Sequence, residues 1–169
     1  MQNAYLSYDG ADLYNIPVLY DLSRQMIVIK DVDGASYLSL LNTKLNKFII
    51  ANHTFIKILA DSTQTTLKTG FYDLLYNGQT QLLVLREKKA DQEKSGVTIQ
   101  NFFTPNNYIY LHKNDTYYSI SSKGDILKLL KDKKKVLNQY IRTNDLSFGK
   151  DEKEQSIVRL LNYYDQLTR

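Results

Sequence analysis

The sequence predicts an α+β protein: an antiparallel, meander-like β-sheet from roughly Tyr5 to Ser121, then two or three α-helices packed on its face or edge. Three observations carry this. Up to Ser121 the chain is a series of short, tyrosine-rich runs punctuated by turn residues, whereas beyond Ser122 leucines recur at helical spacing, so a period of about two gives way to one of about 3.6. The runs follow one another too closely for parallel crossovers, so neighbours pair as hairpins. Finally, Ser122 with Asp125 and Asp151 with Glu154 are capping-box patterns placed where helices should begin.

Taken in order, Pro17-Val18-Leu19-Tyr20 and Met26-Ile27-Val28-Ile29 read as two strands broken by Ser23-Arg24. Asp33-Gly34 turns the chain into Ser36 to Leu40. Lys47 to Ile50 and Thr54 to Leu59 flank Ala51-Asn52-His53 as a hairpin, and the polar stretch from Asp61 to Thr66 reads as a loop. The strongest local signal is Asn77-Gly78 between Phe71–Tyr76 and Thr80–Leu85, because this dipeptide suits the two positive φ angles of a type I′ turn. Glu87 to Gly96, highly charged, reads as a loop; Val97-Thr98-Ile99 opens another strand; Pro105-Asn106-Asn107 turns the chain. Tyr108 to Leu111 and Thr116 to Ile120 then pair across Lys113-Asn114-Asp115.

Ser122 caps a helix whose apolar stripe is Ile126, Leu127, Leu129 and Leu130. Asp132 is placed to cap a second helix carrying Val136, Leu137, Tyr140 and Ile141, with Asn144 ending it. The box at Asp151 and Glu154 precedes a third stripe of Ile157, Val158, Leu160, Leu161 and Tyr164.

At 169 residues the chain reads as one domain, with a β-rich part (1–121) and a helical part (122–169). Its longest apolar runs, such as Leu82 to Leu85, hold only a few residues, where a spanning helix needs about 20. Cysteine is absent, which excludes disulfides, thiolate catalysis and cysteine-ligated metals. The net charge of +4 is local in origin: between Ser122 and Lys150 eight bases face three acids. Lys131, Lys133, Lys134 and Lys135 are therefore the candidate anion-binding residues, for phosphate or acidic lipid. A solvated helix face is the commoner meaning of such a cluster, and nucleic-acid readers carry more arginine over a broader surface.

Around Gly70-Phe71-Tyr72-Asp73-Leu74-Leu75-Tyr76-Asn77-Gly78 and Asp125-Ile126-Leu127-Lys128-Leu129-Leu130-Lys131-Asp132-Lys133-Lys134-Lys135, the chain resembles an uncharacterised family of small envelope or secreted proteins of Gram-negative bacteria. The resemblance runs from Leu19-Tyr20-Asp21 to Tyr163-Tyr164. It implies a periplasmic or secreted setting and a leader removed just before Gln2. It attaches no activity, and so transfers no catalytic residue.

Chemical motifs are sparse. His53, beside a hairpin turn, and His112, near a strand end, lack the spacing of a metal pair. Asp9-Gly10-Ala11-Asp12 and Asp31-Val32-Asp33-Gly34 are oxygen-rich but do not follow the EF-hand, and turn formation accounts for both. No Gly-x-Ser-x-Gly elbow and no glycine-rich phosphate loop occurs. Tyr108, Tyr110 and Tyr118 are expected to share one sheet face, with Tyr117 on the other, and form a candidate aromatic contact surface for sugars, peptides or bases. The reading that results is a non-catalytic envelope protein, without cofactor or metal, that binds a protein or glycan partner. Binding of nucleic acid or an anionic surface through the 131–135 lysines is the alternative, and a hydrolase involving His53 the third.

Overall fold

The computed structural model describes residues 1–31, 33–60, 66–95 and 98–168. Ten strands come first: β1 (Gln2–Tyr8), β2 (Ala11–Asp21), β3 (Met26–Lys30), β4 (Tyr37–Ser39), β5 (Leu45–Ile50), β6 (His53–Ile58), β7 (Gly70–Asn77), β8 (Gln81–Ser95), β9 (Thr98–Lys113) and β10 (Thr116–Ile120). Helices α1 (Lys123–Leu129), α2 (Lys134–Thr143) and α3 (Lys153–Leu167) follow, with a 3-10 turn at Lys131–Lys133 between the first two. The sheet is antiparallel and the helices C-terminal, as the periodicity predicts. No helix among the described residues is long and apolar enough to cross a membrane.

The hydrogen-bonded order is β10-β9-β8-β7-β6-β5-β1-β2-β3-β4. A simple meander would pair β5 with β4. Instead β5 returns to β1, with Leu6 opposite Phe48 and Ala4 opposite Ile50.

The loop expected from Glu87 is strand: β8 continues to Ser95, while Gly96 and Val97 lie outside the described residues. Pro105-Asn106-Asn107 does not turn the chain either, since β9 runs through it. The reason is exposure. Lys88 to Gln92 stand in solvent, so no buried face imposes an apolar alternation to read. The ladder to β10 begins only at Ile109, and a strand with one neighbour tolerates proline. Pro17 likewise lies one residue outside the β2–β3 ladder, which starts at Val18. Of the loop read at 61–66, residues 61–65 fall outside the described residues.

The chain forms two compact units, and β7, β8 and β9 contribute residues to both. The first comprises Met1–Ala60, Lys68–Asp73 and Leu85–Asn107. Alternating residues of its strands bury one face, with Ala4, Leu6, Val18, Ile27, Leu45, Phe48, Phe55 and Phe71 as the core. Phe48 and Phe55 stack at 4.6 Å, and Tyr20 meets both edge-on. The sheet of this unit curls until the β2–β3 turn reaches β8: Leu22 O accepts from Lys88 N, and Gln25 Nε2 donates to Arg86 O at 2.7 Å.

The second unit comprises Asp61–Leu67, Leu74–Val84 and Tyr108–Arg169. Its core joins Leu82, Val84, Ile109, Leu111 and Ile120 of the strands to Ile126, Leu127, Leu130, Leu137, Ile141, Ile157, Leu160, Leu161 and Tyr164 of the helices. The Ser122–Asp125 capping box forms in full. The other two caps do not form. Asp132 lies in the 3-10 turn, where it accepts from the Tyr164 hydroxyl and pairs with Lys113, so a tertiary anchor replaces the cap. At α3 the turn closed by Lys153 N on Gly149 O makes Glu152 the cap residue, in helical rather than extended geometry and with no side-chain cap.

Turn chemistry also departs from expectation. Both central residues have positive φ at Asp9-Gly10, Ala51-Asn52 and Asn114-Asp115, the pattern that Asn77-Gly78 was expected to show, yet neither Asn77 nor Gly78 has it. The hairpin there closes through Gly78 N to Thr80 O. Glycine is required for space instead: a Cβ on Gly78 would lie 2.6 Å from the Tyr76 hydroxyl and closer still to Asp165.

Candidate functional site

Within the first unit, pairing fixes which side chains turn inward. Phe48 opposes Phe55 and Phe55 opposes Asp73, so Asp73 continues an interior row otherwise made of phenylalanine. His53, two residues before Phe55, shares that face. Asp73 is wholly buried. A carboxylate in that position needs partners. Arg86 of β8 supplies Nε at 2.6 Å from Asp73 Oδ2, and His53 supplies Nδ1 at 2.7 Å from the same oxygen.

That cluster is incomplete in two places. Asp73 Oδ1 is buried and has no hydrogen-bond partner among the described residues. The His53 side chain is 47% exposed, and its only hydrogen bond among those residues is the one at Nδ1. His53 and Arg86 line a cavity of about 450 Å³, together with Val18, Leu19, Tyr20, Leu22, Ile50 and Phe55. Apolar walls over a few converging polar groups are the usual make-up of a small-molecule site. Tyr20 is held in the wall by its hydroxyl, which donates to Gln25 Oε1 at 2.7 Å. Burial first, then the nearby Asp73 charge, raises the Tyr20 pKa, so this hydroxyl stays protonated.

The lysines predicted to bind anions do come together. Lys131, Lys133, Lys134 and Lys135 surround a shallow depression of about 460 Å³ in the second unit, with Asp132 and Asn138 on its rim.

The tyrosines do not assemble as expected. A two-residue turn at Asn114-Asp115 pairs Tyr118 with Leu111, Ser119 with Tyr110 and Tyr117 with His112. Directly opposed residues share a face, so Tyr117, and not Tyr118, accompanies Tyr108 and Tyr110. His112 joins them, its ring 4.5 Å from that of Tyr117. Tyr118, on the opposite face, lines with Tyr117 a depression beside α1 that also includes Lys128 and Lys131.

Sequence reasoning weighed His53 without its partners and missed Asp73 and Arg86. One signal was legible: Asp73 interrupts the otherwise apolar run Phe71 to Tyr76 at a position in phase with Phe71. The Asp9 and Asp12 turn, weighed as a calcium site, is occupied by protein contacts, with Asp9 paired to Lys44 and Asp12 accepting from Tyr5. No three His, Asp or Glu side chains converge among the described residues. No family model, curated protein or solved structure matches the chain.

Proposed function

We propose that this is a non-catalytic binding protein whose site is the cavity of the first unit, and that it works in the bacterial envelope or after secretion. The observation that carries the reading is an apolar pocket lined by His53 and Arg86, both of which bond the buried Asp73 carboxylate behind them. Such a cluster is a poor way to stabilise a core, because hydrophobic residues of similar volume do as well or better. It is intelligible as a polar anchor for a ligand. Among the described residues the pocket lining holds no serine or threonine that His53 would activate, which favours holding a ligand over nucleophilic chemistry.

The test is titration with the neutral hydrophobic dye N-phenylnaphthylamine. One saturable site is expected in the wild type, lost in Leu19→Lys and Ile50→Lys while far-UV circular dichroism is kept. Absence of saturable binding would overturn the reading. Fractionation of native cells tests the setting, and recovery with cytosolic proteins would refute it.

A second reading has its own support. The four lysines edge a single depression, whose charge suits an anionic surface. Retention on heparin or acidic lipid that falls steeply with salt, and is lost when all four become glutamate, would favour it.

A further inference from the structure

The two terminal strands of the sheet are protected differently. β4 is only three residues long, which by itself limits pairing. β10 runs five residues in unbroken register with β9 and carries no charge, proline or bulge, the usual means of keeping an edge from pairing. The free side of β10 follows from its turn. Asn114 and Asp115 both have positive φ and are flanked by Lys113 and Thr116, so that pair is hydrogen-bonded, as are Leu111 with Tyr118 and Ile109 with Ile120. The alternate residues, Tyr117 and Ser119, therefore turn their N–H and C=O groups away from β9. Among the described residues no strand or backbone hydrogen bond reaches those groups.

Beside this edge, within the second unit, lies a groove of about 660 Å³ lined by Tyr117, Tyr118 and Ser119 and by Lys128, Leu129 and Lys131. The acid in its lining, Asp125, already accepts from the hydroxyls and amides of Ser121 and Ser122. Lys128 and Lys131 are exposed, and among the described residues neither side chain has an ion-pair partner. We propose that β10 and this groove bind an extended acidic segment of a partner protein as an added strand. Main-chain hydrogen bonds to Tyr117 and Ser119 hold the segment. Side chains alternate along a strand, and Ile120 packs into the core that holds α1, so every second residue of the segment faces α1, where its carboxylates meet Lys128 and Lys131. The same charge disfavours a second copy of this chain, because pairing β10 with β10 gathers both sets of lysines at one seam. This surface is separate from the cavity of the first unit, and its use of main-chain groups sets it apart from the lysine depression.

Fluorescence anisotropy of the whole chain with a labelled peptide of alternating threonine and glutamate, and with its threonine–lysine counterpart, tests this. The glutamate peptide is expected to bind about tenfold tighter than the lysine peptide. Ser119→Pro removes one outward N–H and no bond to β9, so far-UV circular dichroism should be kept while binding falls about tenfold. Methylating alternate backbone amides of the peptide is expected to abolish binding in one of the two frames, a result that does not depend on how Ser119→Pro folds. Lys128→Glu/Lys131→Glu, at exposed positions, should reverse the preference between the peptides, and Lys133→Glu/Lys134→Glu/Lys135→Glu should leave it standing. Equal or absent binding of the two peptides would overturn the proposal, as would full affinity in a folded Ser119→Pro, tolerance of methylation in both frames, or loss of the preference only in the triple variant. A dimer in sedimentation velocity that Ser119→Pro disperses would assign the edge to a second copy, and tighter binding of oligothymidylate than of the glutamate peptide would assign the groove to nucleic acid; either would overturn it.

Discussion

Each unit buries an aspartate, and the two are treated differently. In the second unit Asp165 of α3 accepts from the Tyr76 hydroxyl, from Thr80 N and from Thr80 Oγ1, at 3.0 to 3.1 Å, so both its oxygens are used and every donor is neutral. That carboxylate is a rivet between α3 and the β7–β8 turn, with Gly78 providing the space. In the first unit Asp73 puts two nitrogens on one oxygen, its other oxygen has no hydrogen-bond partner among the described residues, and the two residues it bonds, His53 and Arg86, line a cavity. A buried acid whose acceptors are all taken belongs to the architecture. One with a spare buried oxygen and a half-exposed histidine partner is the kind of group the proposed binding site would use.

The comparison is sharpest under mutation. Asp165→Ala removes the buried acceptor shared by Thr80 N, the Thr80 hydroxyl and the Tyr76 hydroxyl, and should cost about 3 kcal/mol or more in urea unfolding. Asp73→Leu alone should cost about 3 kcal/mol, because it removes the buried carboxylate that Arg86 and His53 share. The double variant Asp73→Leu/Arg86→Met should recover most of that loss. Were the double variant as unstable as Asp165→Ala, Asp73 would be structural too and the contrast between the units would collapse.

Gly78→Ala tests the rivet from the other side. Its new methyl would collide with the Tyr76 hydroxyl and with Asp165, and a loss of about 1–3 kcal/mol in thermal unfolding is expected, without effect on ligand binding. Unchanged stability would show that Asp165 can move aside.

The smallest effect concerns an exposed acid. Hydrogen bonds from the Ser121 hydroxyl, and from the backbone and hydroxyl of Ser122, lower the Asp125 pKa to about 2. A folded-state pKa below the unfolded one stabilises at neutral pH, and the contribution is lost as pH falls from about 4 through about 2. Asp125→Asn should therefore flatten stability against pH in that window alone, as acid titration of the helical signal would show. A variant curve parallel to the wild type would mean that the capping box is not what holds α1.

How much of this was legible beforehand follows from the range of each interaction. The Ser122–Asp125 box, the stripes of α1, α2 and α3 and the hairpin rhythm need only residues a few places apart, so the sequence by itself determined them. Asn77-Gly78 misled because glycine answers both to positive φ and to close approach, and only the packed neighbour Asp165 tells which applies. The tyrosine faces were inverted because one residue of register exchanges the sides of a strand. Asp132 and Asp151 looked like caps because short polar side chains suit that role, but Tyr164 and Lys113 offered Asp132 a tertiary alternative. The proposed binding site lay furthest from view. His53 and Arg86 stand 20 and 13 residues from Asp73 and meet it only because the registers of β5, β6 and β7 align inward positions and the sheet curls β8 towards the β2–β3 turn. Local periodicity decides what each segment becomes; which charged groups share one buried oxygen is decided by strand register and curl, and those arise only when the strands pack.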